Sequence, residues 1–287
     1  MRILNGAWLA ALCLWSSLSS VAAEEKIKVE ELLAKHRASV GAAEALAAYQ
    51  TAAVQGTGHL RMLRGGTGSL EGRVVMISDG LKSRFSVDFG HLLYSGEQFI
   101  CDGNNVEIQY VRNETRSHSD LGMFFYRYPQ LIKNGLWGGS LTRAWALLNH
   151  DPKELRLRYR GLSGREGRQL YEASIDCKGC GEVEIHLFFE EDTFRHVLTT
   201  YSLVTPVPPT EGRSLNKPMK DPPFVRYSME EHFSNFRTQS GITQPTEWLV
   251  RYSRDQQDRT ILLELNSRFE IQLINNPFEP ALFEARP

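Results

Sequence analysis

The feature that most limits the fold is a two-residue period. "QGTGHLRMLR", "GSLEGRVVMIS", "LKSRFSVDFG", "GEQFICDG" and "NNVEIQYVR" (residues 55–112) are short runs of alternating apolar and polar residues, divided by Gly, Asn and Asp. Successive side chains of a strand point to opposite faces, so each run presents one apolar face. Turn residues at such close intervals join neighbouring runs into an antiparallel meander. The pattern resumes in "ELRLRYRGL", "GRQLYEASIDC", "GEVEIHLFFEE" and "FRHVLTTYSLV", then in "FVRYSMEEHFSNFRT", "TEWLVRYS" and "RTILLELNSRFEIQLIN". The expected fold class is α+β, mainly antiparallel β: about eleven strands in one curved sheet covered by helices.

Two segments leave this period. Lys26 to Gln50 places Val29, Leu32, Leu33, Val40 and Leu46 at helical spacing, which predicts one helix or two shorter ones broken near Gly41. "SDLGMFFYRYPQLIKNGLWGGSLTRAWALLNHDP" predicts a helix capped by Ser119 or Asp120 and ended by Gly135, with a kink or break at Pro129. A second short helix is expected to carry Trp145 and Leu148. Thr205 to Pro223 holds six of the twelve prolines. Proline removes a backbone donor, so this stretch reads as a loop between strands. No domain boundary is visible, and residues 24–287 read as one domain.

Residues 1–23 have the layout of a secretory signal peptide: Arg2, an apolar run from Gly6 to Trp15, then small residues up to Ala23. The run is shorter than the roughly 20 residues that span a bilayer. Export, and so a periplasmic location, is the expectation. A net charge of −1 gives no reason to expect a nucleic-acid partner. Beyond Ala23 the cysteines are Cys101, Cys177 and Cys180, so at most one intramolecular disulfide can form.

The common catalytic signatures are missing: there is no H-E-x-x-H, G-x-S-x-G or phosphate-binding loop. Ser214 to Lys217 matches S-x-x-K but lies in the proline-rich stretch. "CKGC" (Cys177 to Cys180) suits a disulfide or two thiols at a hairpin turn better than a redox centre, which draws reactivity from a helix N-terminus. It also suits that better than a zinc site, which needs two more ligands. Asn113-Glu114-Thr115 is a glycosylation sequon. "IHLFFEEDTFRHVLTTYSL" (Ile185 to Leu203) gathers Glu190, Glu191, Asp192, Arg195 and His196. Adjacent strand residues face apart, so Glu190 and Glu191 do not form a carboxylate pair, and Asp192-Thr193 reads as a turn. Asp88, His91, His186 and His196 are the residues a hydrolase would draw on. The favoured expectation is a protein without catalytic residues, metal or cofactor.

The last third carries E-x-F-S-x-F and G-I-T-x-P in "EEHFSNFRTQSGITQPTEW", followed by "NNPFEPALFEARP". "GLWGGSLTRAWALL" and "VGAAEALAAYQ" stand upstream in matching order. In these motifs the chain resembles the LolA/LolB-like superfamily, the exported outer-membrane lipoprotein-sorting type. The resemblance implies an open half-barrel of about eleven strands around a hydrophobic cavity under a lid of helices. It also implies binding of acyl chains of a lipid or lipoprotein, with transient membrane contact, as carrier, chaperone or sensor in the cell envelope. Cavity candidates are Phe85, Phe99, Phe124, Leu131, Tyr171, Leu187, Phe189, Phe233, Trp248 and Leu263. A cavity arginine, a feature of the sorting proteins, could be Arg84, Arg195, Arg226 or Arg251. The competing reading is an envelope protein-interaction or regulatory module without a lipid, docking a protein partner through the proline-rich loop. A monomer is expected in either case.

Overall fold

A computed structural model describes residues 27–92, 94–112, 118–206, 224–256 and 259–285. The expected signal peptide, the sequon and residues 207–223 of the proline-rich loop lie outside the described residues.

The helical N-terminal segment folds as α1 (Val29–Val40) and α2 (Ala43–Ala48), with the break at Gly41. A first meander follows: β1 (Thr51–Arg64), β2 (Ser69–Asp79), β3 (Lys82–Asp88), β4 (Glu97–Cys101) and β5 (Val106–Tyr110). The insert then carries α3 (Asp120–Arg127), α4 (Gln130–Lys133) and α5 (Ala146–Asn149). Ser119 caps α3 by accepting the Gly122 N–H at 2.9 Å, and Pro129 separates α3 from α4. Trp145 stands immediately before α5 rather than within it. The second meander comprises β6 (Arg158–Arg165), β7 (Arg168–Ile175), β8 (Glu184–Glu190), β9 (His196–Pro206), β10 (Phe224–Gln239), β11 (Ile242–Gln256) and β12 (Arg259–Ile274).

All twelve strands form one antiparallel sheet in the order β5-β4-β3-β2-β1-β12-β11-β10-β9-β8-β7-β6. The count exceeds the expected eleven because every alternating run folds as its own strand. β6 starts at Arg158, later than the run beginning at Glu154, since residues 152–156 form a turn closed by Leu157 N–H donating to the Pro152 carbonyl at 2.9 Å. Ser240-Gly241, with φ of 50° and 77°, is the two-residue turn between β10 and β11 and accounts for the glycine of G-I-T-x-P.

β5 and β6 are the two ends of the sheet order and do not pair, so the sheet stays open. The insert leads from one edge to the other across the inner face. Its Phe124, Phe125, Leu131, Trp137, Trp145 and Leu147 are buried in the main core with inward residues of the strands. Phe125 and Trp137 have ring centroids 4.6 Å apart, and Trp137 and Trp248 4.8 Å apart. On the outer face Phe188 is buried with Leu170, Val197 and Leu198, so β8 is covered on both sides. Phe283, from the closing "NPFEPALF", packs on Ala53 and Ile77.

Replacing Phe125 by alanine is expected to cost about 3–5 kcal/mol, the range for emptying a buried aromatic site. Urea unfolding of the variant against the parent chain measures it.

Candidate ligand cavity

A cavity of about 360 Å³ lies between the inner face of the first meander and the start of α3. β1 contributes Leu60 and Met62, β2 Leu70, β3 Phe85 and Val87, and β12 Leu263 and Leu265. Each points inward because it shares the pleat parity of its strand's buried residues. Phe85 and Phe99 line the cavity and also pack on the insert. Phe85 lies 6.0 Å from Trp137 and Phe99 5.1 Å from Phe125, centroid to centroid.

The polar groups of the lining are Tyr94, Glu97, Tyr110, Ser119 and Asp120. Glu97 is buried and accepts from four donors: Ser119 N–H at 2.8 Å, the Ser119 hydroxyl, the Tyr94 hydroxyl at 3.1 Å and His118 Nδ1 at 3.2 Å. Gly122 permits this approach, since a Cβ there would sit 2.6 Å from Glu97 Oε1. Burial, reinforced by the neighbouring Glu97 charge, pushes the Tyr94 hydroxyl well above its ordinary range. Asp120 is bound by Arg254 at 2.7 Å.

Of the ten cavity candidates, Phe85, Phe99 and Leu263 line this space. Phe124, Leu131, Leu187, Phe189, Phe233 and Trp248 instead fill the packed core, and Tyr171 lies against its margin, stacked on Phe194 at 5.4 Å. The physical reason is that the insert supplies enough apolar volume to occupy the inner face of the second meander. None of the four candidate arginines lines the cavity. Arg84 donates to the Leu282 carbonyl, Arg195 lies over the Phe236 ring, Arg226 is exposed, and Arg251 bonds Glu264. Cys177 and Cys180 are joined in a disulfide.

The hydrolase candidates do not converge. His186 bonds Glu172 at 2.6 Å on the outer face, whereas His196 is buried on the inner face, stacked on Trp145 at 4.9 Å. Asp88 accepts the Gly90 N–H at the end of β3, in the first meander. Among the described residues no group of three or more His, Cys, Asp or Glu is placed to hold a metal.

A second polar cluster, missed in the sequence, holds the insert down. Glu231, the acid of E-x-F-S-x-F, is fully buried. It accepts Gly138 N–H at 2.9 Å and Trp248 Nε1–H at 3.0 Å. The Tyr201 oxygen lies 2.7 Å from Glu231 and 2.8 Å from the Leu136 carbonyl. The one Tyr201 hydroxyl proton is shared between these two acceptors. Burial pushes the Glu231 carboxyl up to about 8. Nearby, His36 donates from Nδ1 to the Phe194 carbonyl and accepts from Trp145 Nε1–H at 3.0 Å. Burial brings His36 down to about 4 and holds His196 well below its ordinary value.

No protein-family model matches the chain, and no curated protein matches it. Solved structures do. A LolA superfamily protein from Nitrosomonas europaea covers 91% of this chain and 99% of its own length, at 9% identity and a TM-score of 0.44. A domain described as an outer-membrane lipoprotein-sorting protein from Vibrio parahaemolyticus covers 88% and 94%, at 9% identity and 0.41. MucB in the MucA/MucB complex of Pseudomonas aeruginosa covers 84% and 94%, at 12% identity and 0.21. The likeness is one of fold. Function has to be read from this chain's own cavity.

The buried groups set a pH dependence. Glu231 ionises near 4.5 when unfolded and about 8 when folded, so the folded state holds an extra proton between those values, and stability falls as pH rises. His36 titrates at 6.5 unfolded and about 4 folded, so stability is lost as pH falls through that window, and His196 adds in the same direction. The two histidines outweigh the one acid below about pH 6.5. Thermal melting across pH should therefore peak near that value, and Glu231→Gln should flatten the decline up to about 8.

Proposed function

We propose that this chain is an exported binding protein of the cell envelope that holds one acyl chain in the cavity beneath α3, as a carrier or sensor. The carrying observation is a preformed space of about 360 Å³ whose lining is apolar except for a few grouped polar side chains. That volume lies at the small end of ordinary ligand sites, about 300–1,000 Å³, and suits one slender chain. Ten buried methylenes contribute roughly 8 kcal/mol. Immobilising the ligand costs at least about 4 kcal/mol. The net supports reversible binding, which a carrier or sensor requires.

The signal-peptide layout of residues 1–23 supports export. The lipoprotein-sorting description of the Vibrio domain fits the same reading. The Cys177–Cys180 disulfide fits an oxidising compartment. Lipid or lipoprotein acyl chains are the proposed partners, with no cofactor and no catalytic step.

N-phenyl-1-naphthylamine, an uncharged apolar fluorophore, should bind the purified protein with enhanced emission. Leu60→Trp, which fills the space from a half-buried position, should weaken binding by about tenfold or more with the melting temperature kept, a loss of about 1.4 kcal/mol. No probe uptake, together with no co-purified lipid by mass spectrometry, refutes the reading.

A further inference from the structure

The polar side of the cavity limits which head group an occupant can carry. We infer that the cavity selects single-chain amphiphiles with an ammonium or hydroxyl head and discriminates against the fatty-acid anion; this rests on the acyl-chain reading above.

Glu97 is 2% exposed and forms part of the wall. Its contacts are the Ser119 N–H, the Ser119 and Tyr94 hydroxyls and His118 Nδ1, a set that the lone pairs of a carboxylate accommodate. An acidic side chain is thus built into the lining. Asp120 adds a second carboxylate there.

Among the described residues the nearby cations have acidic or polar partners. Arg254 bonds Asp120 at 2.7 Å and Gln256 at 2.9 Å and is not part of the lining. Arg112 lies 3.8 Å from Asp88. His118 turns Nδ1 to Glu97 and stacks on Tyr110 at 5.2 Å. Among the described residues no lysine or arginine lines the cavity. A second carboxylate drawn in by its alkyl tail would meet Glu97 in a poorly solvated setting, where like charges repel more strongly than in water. An ammonium would meet a favourable field. A hydroxyl could donate to Asp120 or exchange bonds with Tyr94 and Ser119 without a charge penalty.

The test is displacement of bound N-phenyl-1-naphthylamine by dodecylamine, 1-lauroylglycerol and laurate, below their micelle concentrations at pH 7.5. The expected order is dodecylamine, then lauroylglycerol, then laurate, with laurate weaker than the amine by about tenfold or more, or 1.4 kcal/mol. Asp120→Asn, at a half-buried rim position, should narrow that gap, and Glu97→Gln should narrow it further. Should Glu97→Gln fail to fold, the ranking on the unaltered protein and Asp120→Asn still decide. Equal displacement by all three, or preference for laurate, overturns the head-group selectivity and leaves acyl-chain binding standing. Failure of the probe and of every amphiphile to bind overturns both.

Discussion

The pairing of β12 with β1 holds the rest of the structure together. Every other strand pair joins neighbours in sequence, whereas this one brings Ala52 to Ile274 and Met62 to Leu263. Without it the chain would hold two separate meanders, each with an uncovered apolar face. With it, twelve strands share one sheet, and the insert has a continuous inner surface to fill. Contacts so distant in sequence carry a large closure entropy, which predicts slow folding relative to a helical protein of this size.

The insert and the cavity are two outcomes of that geometry. The connection from β5 to β6 must cross from one end of the sheet order to the other, and the path leads over the inner face. Over the second meander its aromatic residues complete a close-packed core. Over the first meander Phe125 and Trp137 pack on one side of Phe85 and Phe99, and the space on their other side, beside the start of α3, stays open. Two buried acids hold the insert, one at the start of α3 and one near its middle. Glu97 ties the start of α3 to β4, and Glu231 ties the Gly138 turn to β10. They differ in donors. Glu97 accepts from four, whereas Glu231 takes few enough that burial dominates and pushes its carboxyl up.

Much of this was legible in the residues. Alternation marked every strand, Ser119 and Pro129 marked the limits of α3, and Gly41 marked the break between α1 and α2. The motifs resembling the lipoprotein-sorting proteins acquire physical meaning in the structure. E-x-F-S-x-F carries Glu231, and G-I-T-x-P begins at the β10–β11 turn. The candidate site was less legible. Phe124, Phe189 and Trp248 have the composition and parity of cavity residues, as do Phe85 and Phe99, because core and cavity walls use the same side chains. Leu60 and Leu265 belong to the same ambiguous class. Glu97 carried no signal either, since its partners Tyr94, His118 and Ser119 meet it only once β4 and α3 pack.

The sequence alone determined the strands, their turns and the direction in which each side chain points. These are local consequences of backbone pleat, proline and glycine chemistry and hydrophobic period. Only the tertiary structure decided which part of the inner face is filled and which is left open, because that depends on where a long connection comes to rest. It also decided the surroundings of Glu97 and Glu231, since the donors and the burial that each carboxyl group meets come from distant parts of the chain.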